Sequence, residues 1–180
     1  VEELEATSRY GQRRKEIHEF NLLSPIIRRG LALTPVKFGI SFTNTSFNQA
    51  GALLHVYKDG SIQLNHGGTE MGQGLFIKVA QVVAQELQVD IDQIEITATH
   101  TGKVPNTSAT AASAGSDLNG MAALNAARTI RRRLTAFASS HYGVPETEIA
   151  FHPGHIQIGQ RKVSFSDLVM KAYLNRVQLS

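Results

Sequence analysis

Three features of this sequence predict an α+β fold, a mixed β-sheet covered by helices. A hairpin pattern is followed by a strongly amphipathic helix, a short strand pattern by a long helix, and a second hairpin by a closing helix. At 180 residues the chain is long enough for a single domain that buries roughly 70% of its unfolded surface. The organisation expected is a helical lead-in over 1–30 and an α+β lobe over 31–180.

Residues 2–20 are highly charged, with Leu4, Ile17 and Phe20 among the few apolar anchors, and read as a helix. Acidic residues flank Arg13-Arg14-Lys15, which marks a solvated face and not a nucleic-acid patch. Arg28-Arg29-Gly30 leads through Pro35 into 36–43, an extended run rich in β-formers. Residues 52–57 and 61–65 alternate around Lys58-Asp59-Gly60, where Asp-Gly is a strong turn signal. Apolar residues at 75, 76, 79, 80, 83, 84 and 87 then give the spacing of a helix with one buried face.

A strand is expected at 94–97, then a polar, turn-rich stretch over 99–113 around Pro105-Asn106. A long helix runs from about 115 to 140, with Asp117 placed to cap its first turn or to favour it by charge. Residues 155–158 and 161–164 form the second hairpin around Gly159-Gln160. The closing helix spans 165–177 and is capped by Ser164 or Ser166.

The composition excludes several classes of function. There is no cysteine, so the chain supplies no disulfide, thiolate zinc site or iron–sulfur ligand. A net charge of +3 does not by itself call for nucleic acid, and no nucleic-acid partner is expected. No run approaches the roughly 18 apolar residues of a membrane span, and no membrane association is expected. A cytoplasmic location fits the absence of cysteine. The first residue is Val1 and no signal-peptide pattern follows it, so the chain is expected to be a fragment of a longer protein.

The most informative segment is Gly67-Gly68-Thr69-Glu70-Met71-Gly72-Gln73-Gly74, with four glycines in eight residues between a strand and a helix. Glycine lets backbone approach a ligand, and the first amides of a helix attract anions. The spacing is near that of a nucleotide hydrolase loop, but Gln73 and Gly74 stand where Lys and Ser/Thr are needed, so triphosphate hydrolysis is set aside. A second small-residue loop offers the hydroxyls of Thr107, Ser108, Thr110 and Ser113 beside Ala111 and Ala112. Two such loops suit a flat, polar, phosphate-bearing ligand held by uncharged donors. Tight helix–sheet packing is the alternative use of the same small residues.

His66-Gly67-Gly68-Thr69-Glu70-Met71-Gly72-Gln73-Gly74 resembles the cofactor-binding segment of the molybdenum subunit of xanthine dehydrogenases. Lys103-Val104-Pro105-Asn106-Thr107-Ser108-Ala109-Thr110-Ala111-Ala112-Ser113 and Asp117-Leu118-Asn119-Gly120 extend the resemblance, as do Arg29-Gly30-Leu31-Ala32 and 36–43 upstream. Similarity covers most of 9–140. It implies one lobe of a molybdenum cofactor-binding domain within the xanthine oxidase family of molybdenum hydroxylases. The implied cofactor is a molybdenum-pyranopterin (molybdopterin, with or without an attached nucleotide). 2Fe-2S clusters, FAD and NAD would lie elsewhere in an oligomeric complex. By the same resemblance Gly72, Gln73 and Gly74 contact the pterin, Thr110, Ala111, Ala112 and Ser113 form the second contact loop, and the backbone of Ala112 approaches molybdenum.

The implied reaction is hydroxylation of a purine, hypoxanthine or xanthine, with oxygen from water. An aldehyde or another N-heterocycle is the alternative substrate, and a purely structural or subunit-contact domain the alternative role. The chain departs from the complete family pattern: Gly-Gly-Phe-Gly-Gly, Arg-Gly-Phe-Gly and the late Gly-Glu-Pro segment are absent. No catalytic residue is therefore assigned. Glu70 is read as an ordered acceptor beside the loop or an exposed carboxylate, not as the missing base. The remainder of the molybdenum subunit and the iron–sulfur and FAD domains or subunits are the expected partners, and the isolated chain is expected to be inactive.

Smaller motifs carry less. His152-Pro153-Gly154-His155 makes a turn without a third ligand, and Ser139-Ser140-His141 lacks an orienting carboxylate. Arg131, Arg132 and Arg133 point about 100° apart on a helix and are expected to meet solvent or a subunit. His66 and His100 lie near the two loops and serve either a ligand or the fold.

Overall fold

The computed structural model describes residues 1–103 and 107–180, which divide into two compact units, Val1–Gly39 and Ile40–Ser180. The turn expected around Pro105-Asn106 lies outside the described residues.

In the first unit the charged lead-in forms two helices where one was expected, α1 (Glu2–Thr7) and α2 (Tyr10–Leu23). Arg9 breaks them by adopting a left-handed backbone (φ 51°), which ends the α1 hydrogen-bond ladder. Neither helix buries a residue, in keeping with the scarcity of apolar side chains. Beyond α2 the chain is held locally. The Asn21 side chain accepts from Arg29 N–H (2.8 Å) and donates to Arg29 C=O (2.9 Å), and the Arg29 guanidinium lies over the Phe20 ring at 3.8 Å.

The second unit is built around α3 (Leu75–Leu87) and α4 (Gly115–Tyr142). Its first sheet has the order β1 (Ala52–Val56), β2 (Ile62–His66), β3 (Ile94–Ile96). β1 and β2 pair antiparallel, with Val56 opposite Ile62, and Asp59 closes their turn by accepting from Ser61 N–H (3.0 Å) and hydroxyl (2.7 Å). β3 runs parallel to β2, so the connection through α3 (Leu75–Leu87) is a β–α–β crossover and the sheet is mixed. The β-rich run over 36–43 joins neither sheet.

A second, antiparallel sheet accompanies the mixed one: β4 (Ile149–His152), β5 (His155–Ile158) and β6 (Arg161–Val163). The hairpin of β5 and β6 matches its sequence pattern. β4 was not anticipated, because four residues beside a single-turn helix at Glu146–Glu148 carry too little alternation to register.

The core follows the apolar periodicity. Leu75, Val79, Val83 and Leu87 of α3 and Ala123, Ala127, Ile130, Leu134 and Ala138 of α4 (Gly115–Tyr142) are buried with Leu54, Ile62 and Leu64 of the first sheet. Alanines on α4 let the helix axes approach closely. Phe151, Ile156 and Ile158 of the second sheet extend the same core to α5 (Phe165–Leu174). Ser164 caps α5 by accepting from Asp167 N–H (3.1 Å), whereas Asp117 makes no capping bond and sits as a favourable charge in the first turn of α4. α5 stops three residues short of its expected end, at Leu174, and the chain turns at Arg176 (φ 61°).

One feature of this topology positions the site. The glycine-rich loop leaves the C-terminal end of β2 for α3, and the second small-residue loop leaves the parallel β3 for α4. Both therefore emerge at one edge of the sheet, where parallel strands of α/β proteins place their ligands.

Candidate functional site

The two loops are joined directly. Thr69 N–H donates to Thr110 Oγ1 (2.8 Å), and the Thr99 hydroxyl donates to Gly68 C=O (3.2 Å). Their approach requires glycine: a Cβ on Gly67 would lie 2.3 Å from Thr107 Oγ1, and one on Gly68 2.5 Å from Leu75 Cδ2. Part of the glycine content therefore serves close packing. Gly72 and Gly74 differ from these two. A Cβ would meet open space at Gly72 and only an ordinary contact with Ile77 (3.7 Å) at Gly74, but both have left-handed backbones (φ 95° and 73°), and Gly74 is the N-cap of α3.

The unpaired amides expected in this loop are mostly taken from within. Glu70 folds back so that Oε1 accepts from Gly72 N–H (2.8 Å) and Gly74 N–H (3.0 Å), while Oε2 accepts from Phe76 N–H (3.0 Å). The bond from Phe76, with those from Gly74, Gly72 and Leu75, holds the Glu70 carboxyl below the usual carboxylate range against a smaller effect of desolvation. Of the two readings left open for Glu70, the ordered acceptor is the one observed. Gln73 is likewise engaged: Oε1 accepts from Met71 N–H (2.6 Å) and Nε2 donates to Thr69 C=O (2.9 Å). Its amide retains one N–H.

His66 lies under the loop. It is buried, its ring meets Phe76 edge-on at 5.2 Å, and Nδ1 accepts from Gly68 N–H (3.1 Å). That bond assigns the proton to Nε2, and burial pulls the imidazole pKa down, so the ring is a neutral structural element. Nε2 has no partner among the described residues, nor does Oδ1 of the buried Asn119, whose Nδ2 donates to Gly115 C=O (2.9 Å). His100 makes a local bond, accepting from Gly102 N–H through Nδ1 (3.2 Å).

In the second loop Ala112 and Ser113 are consecutive left-handed residues (φ 53° and 55°), an uncommon conformation for side chains with a Cβ. Ala112 C=O is anchored by Ser41 N–H (2.9 Å), and Ala111 C=O accepts from Ala114 N–H (3.2 Å). This leaves Ala111, Ala112 and Ser113 exposed at the start of α4.

Between the loops is a cavity of about 500 Å³, with Met71, Gln73, Leu75 and Lys78 on one side and Thr110, Ala111, Ser113, Gly115 and Ser116 on the other. Gln73, Thr110, Ala111 and Ser113 all line this cavity, while Gly72, Gly74 and Ala112 have left-handed backbones beside it. Sequence reasoning missed Lys78. Its signal is a lone cation one turn into an otherwise apolar or neutral helix face, the turn that Lys78 N–H closes on Gly74 C=O (3.2 Å). A larger groove of about 1030 Å³ lies along the C-terminal half of α3 and the β4–β5 turn, away from the second loop.

The arginine cluster is mostly structural. Arg131 donates to Glu86 C=O (3.0 Å) and Oε1 (3.2 Å) and lies over Phe151 at 4.9 Å. Arg133 donates to the carbonyls of Gln178 (3.1 Å) and Ser180 (2.7 Å), and Arg132 is exposed. The rings of His152 and His155 stack at 5.2 Å across the β4–β5 turn. Among the described residues, no helix is long and apolar enough to cross a membrane.

Two joined small-residue loops flank a cavity at the starts of two helices, the arrangement of a ligand-binding lobe. The chain belongs to the molybdopterin cofactor-binding domain family, which residues 3–180 match. It is 45% identical over 180 residues to the xanthine dehydrogenase of Blastobotrys adeninivorans, spanning all of this chain and 12% of that protein. It is 53% identical over 132 residues to the xanthine dehydrogenase/oxidase of Mus musculus, covering 73% of this chain and 10% of that one. The chain thus spans about one-eighth of the length of these relatives or less. Its fold is shared with the reconstituted CO dehydrogenase from Oligotropha carboxidovorans (TM-score 0.65, 23% identity), over 72% of this chain and 16% of that one.

Proposed function

We propose that the chain is the cofactor-binding segment of a xanthine dehydrogenase, with the molybdenum-pyranopterin seated between the two loops and hypoxanthine or xanthine as the substrate hydroxylated. The observation that carries this reading is the cavity of about 500 Å³, closed on both sides by loops that bond to each other through Thr69 and Thr110.

The residues present fit such a group. Gln73 keeps an N–H to donate, Thr110 accepts through Oγ1 from Thr69 and so keeps its own O–H to donate, and Ser113 and Ser116 add hydroxyls. Ala111 and Ala112 present backbone without bulk where the metal end approaches, and the left-handed turn at 112–113 holds that backbone outward. Glu70 keeps the opposite loop in one shape before anything binds, which lowers the ordering cost of binding. When bound, the cofactor supplies oxidative hydroxylation with oxygen from water, and electrons pass to 2Fe-2S clusters, FAD and NAD elsewhere in a cytoplasmic, oligomeric complex. In this reading the chain binds and orients, supplies no acid–base residue, and is inactive when isolated from the rest of the subunit.

Gln73→Ala in the full-length enzyme tests the assignment. The expected result is reduced molybdenum and pterin per protomer, and unchanged occupancy with unchanged turnover would sink it. Steady-state turnover of purines against aldehydes by the intact complex decides the substrate class.

A further inference from the structure

We propose that Lys78 is the phosphate-binding residue of this site, pairing its ammonium with the phosphate carried by the pterin; the inference rests on the cofactor reading above. Helix-start amides are the usual anion receptors, but here Glu70 already takes those of Gly74 and Phe76, together with Gly72. A phosphate placed on them would have to displace a carboxylate that three backbone bonds hold in its charged form. The charge has to be met elsewhere in the cavity, by the first-turn amides of α4 at Gly115 and Ser116, which no described side chain caps, together with a cation.

Among the described residues lining it, Lys78 carries the only charge, and no carboxylate is present. Glu86, a carboxylate farther along α3, is already paired with Arg128 (3.6 Å) and Arg131 (3.2 Å). Lys78 makes no ion pair among the described residues, so its charge is available to a ligand. It sits one turn into α3 from Gly74 and lines the cavity together with Gln73, Ser113 and Ser116. Lysine serves phosphate as a mobile point charge, and neighbouring hydroxyls and an amide N–H complete the donor-rich shell. Lys78 also borders the larger groove, so a purely structural role there is the outcome the test must separate.

The experiment compares full-length wild type, Lys78→Gln and Lys78→Arg. Pterin is read by fluorescence after oxidative release, molybdenum by elemental analysis, and release of both is followed over a range of ionic strengths. Lys78 is exposed, so unchanged thermal unfolding is the expected control for folding. Lys78→Gln is expected to release pterin roughly tenfold faster than wild type, the scale of one hydrogen bond to a charged group. Lys78→Arg should stay near wild type, and the salt dependence should be steeper in wild type than in Lys78→Gln. Equal release from Lys78→Gln and wild type at every ionic strength overturns the proposal, as does Lys78→Arg losing pterin as fast as Lys78→Gln. Wild type devoid of pterin and molybdenum would overturn the underlying cofactor reading instead.

Discussion

Replacing Gly68 with alanine should destabilise the lobe, whereas the same replacement at Gly120 should stabilise it. The Gly68 methyl would lie 2.5 Å from Leu75 Cδ2 and 2.8 Å from Asn119 Nδ2. Ordinary contacts between carbon atoms are about 3.5–4.0 Å, so something must move by about 1 Å. Leu75 is 1% exposed and Asn119 6%, so neither side chain can swing into solvent. Overpacking of this kind costs about 1–3 kcal/mol. Displacing the Asn119 amide from Gly115 C=O adds about 1 kcal/mol, for a total of about 2–4 kcal/mol.

Gly120 lies inside α4, and its added methyl would rest at an ordinary 3.8 Å from Val82 Cγ2. Relief of glycine's entropy cost should then add about 0.5–1 kcal/mol of stability. Urea unfolding of the 180-residue chain, followed by circular dichroism, gives both values from midpoints at constant slope. The two variants should differ by about 2.5–5 kcal/mol. A Gly68→Ala protein within about 0.5 kcal/mol of the parent would show that the loops do not pack as described.

Glu70 predicts a pH effect on the first loop. Its carboxyl is held below the ordinary value, so the order it imposes is fully present above about pH 4.5 and is lost as pH falls through the lowered folded-state value. Amide exchange at Gly72, Gly74 and Phe76 should show protection at neutral pH that collapses in acid, and Glu70→Gln should remove that pH dependence. The arginines should separate. Arg131→Ala loses bonds to Glu86 and its place on Phe151, and should cost about 1–2 kcal/mol in the same unfolding assay. Arg132→Ala, at an exposed position, should stay within about 0.5 kcal/mol; equal effects would contradict the contacts assigned to Arg131.

Much of the scaffold is legible without coordinates, because it is encoded by neighbours in the chain. The apolar spacing at 75–87 marks α3 to the residue, and Asp59-Gly60 marks the first hairpin. Ser164 was one of two serines placed to cap α5, and it does so. The small-residue loops also carry enough family-specific spelling to name the cofactor class, and the match over residues 3–180 agrees. Where patterning is weak, it misleads: the charged lead-in hides the break at Arg9, and β4 is too short to show alternation.

What only the tertiary structure decides is which groups end up paired. The residues Glu70, Gly72, Gly74 and Phe76 are all visible in the sequence. Their pairing depends on the loop turning through two left-handed glycines, and that removes the open anion site the glycine spacing suggested. Gly68 against Asn119 and Thr69 against Thr110 join positions far apart in the chain, and Lys78 and Ser113 come to line one cavity. Local periodicity reports which face of an element is buried. It carries no record of the partner across a cavity, and at this site the partner determines where a ligand's charge can be met.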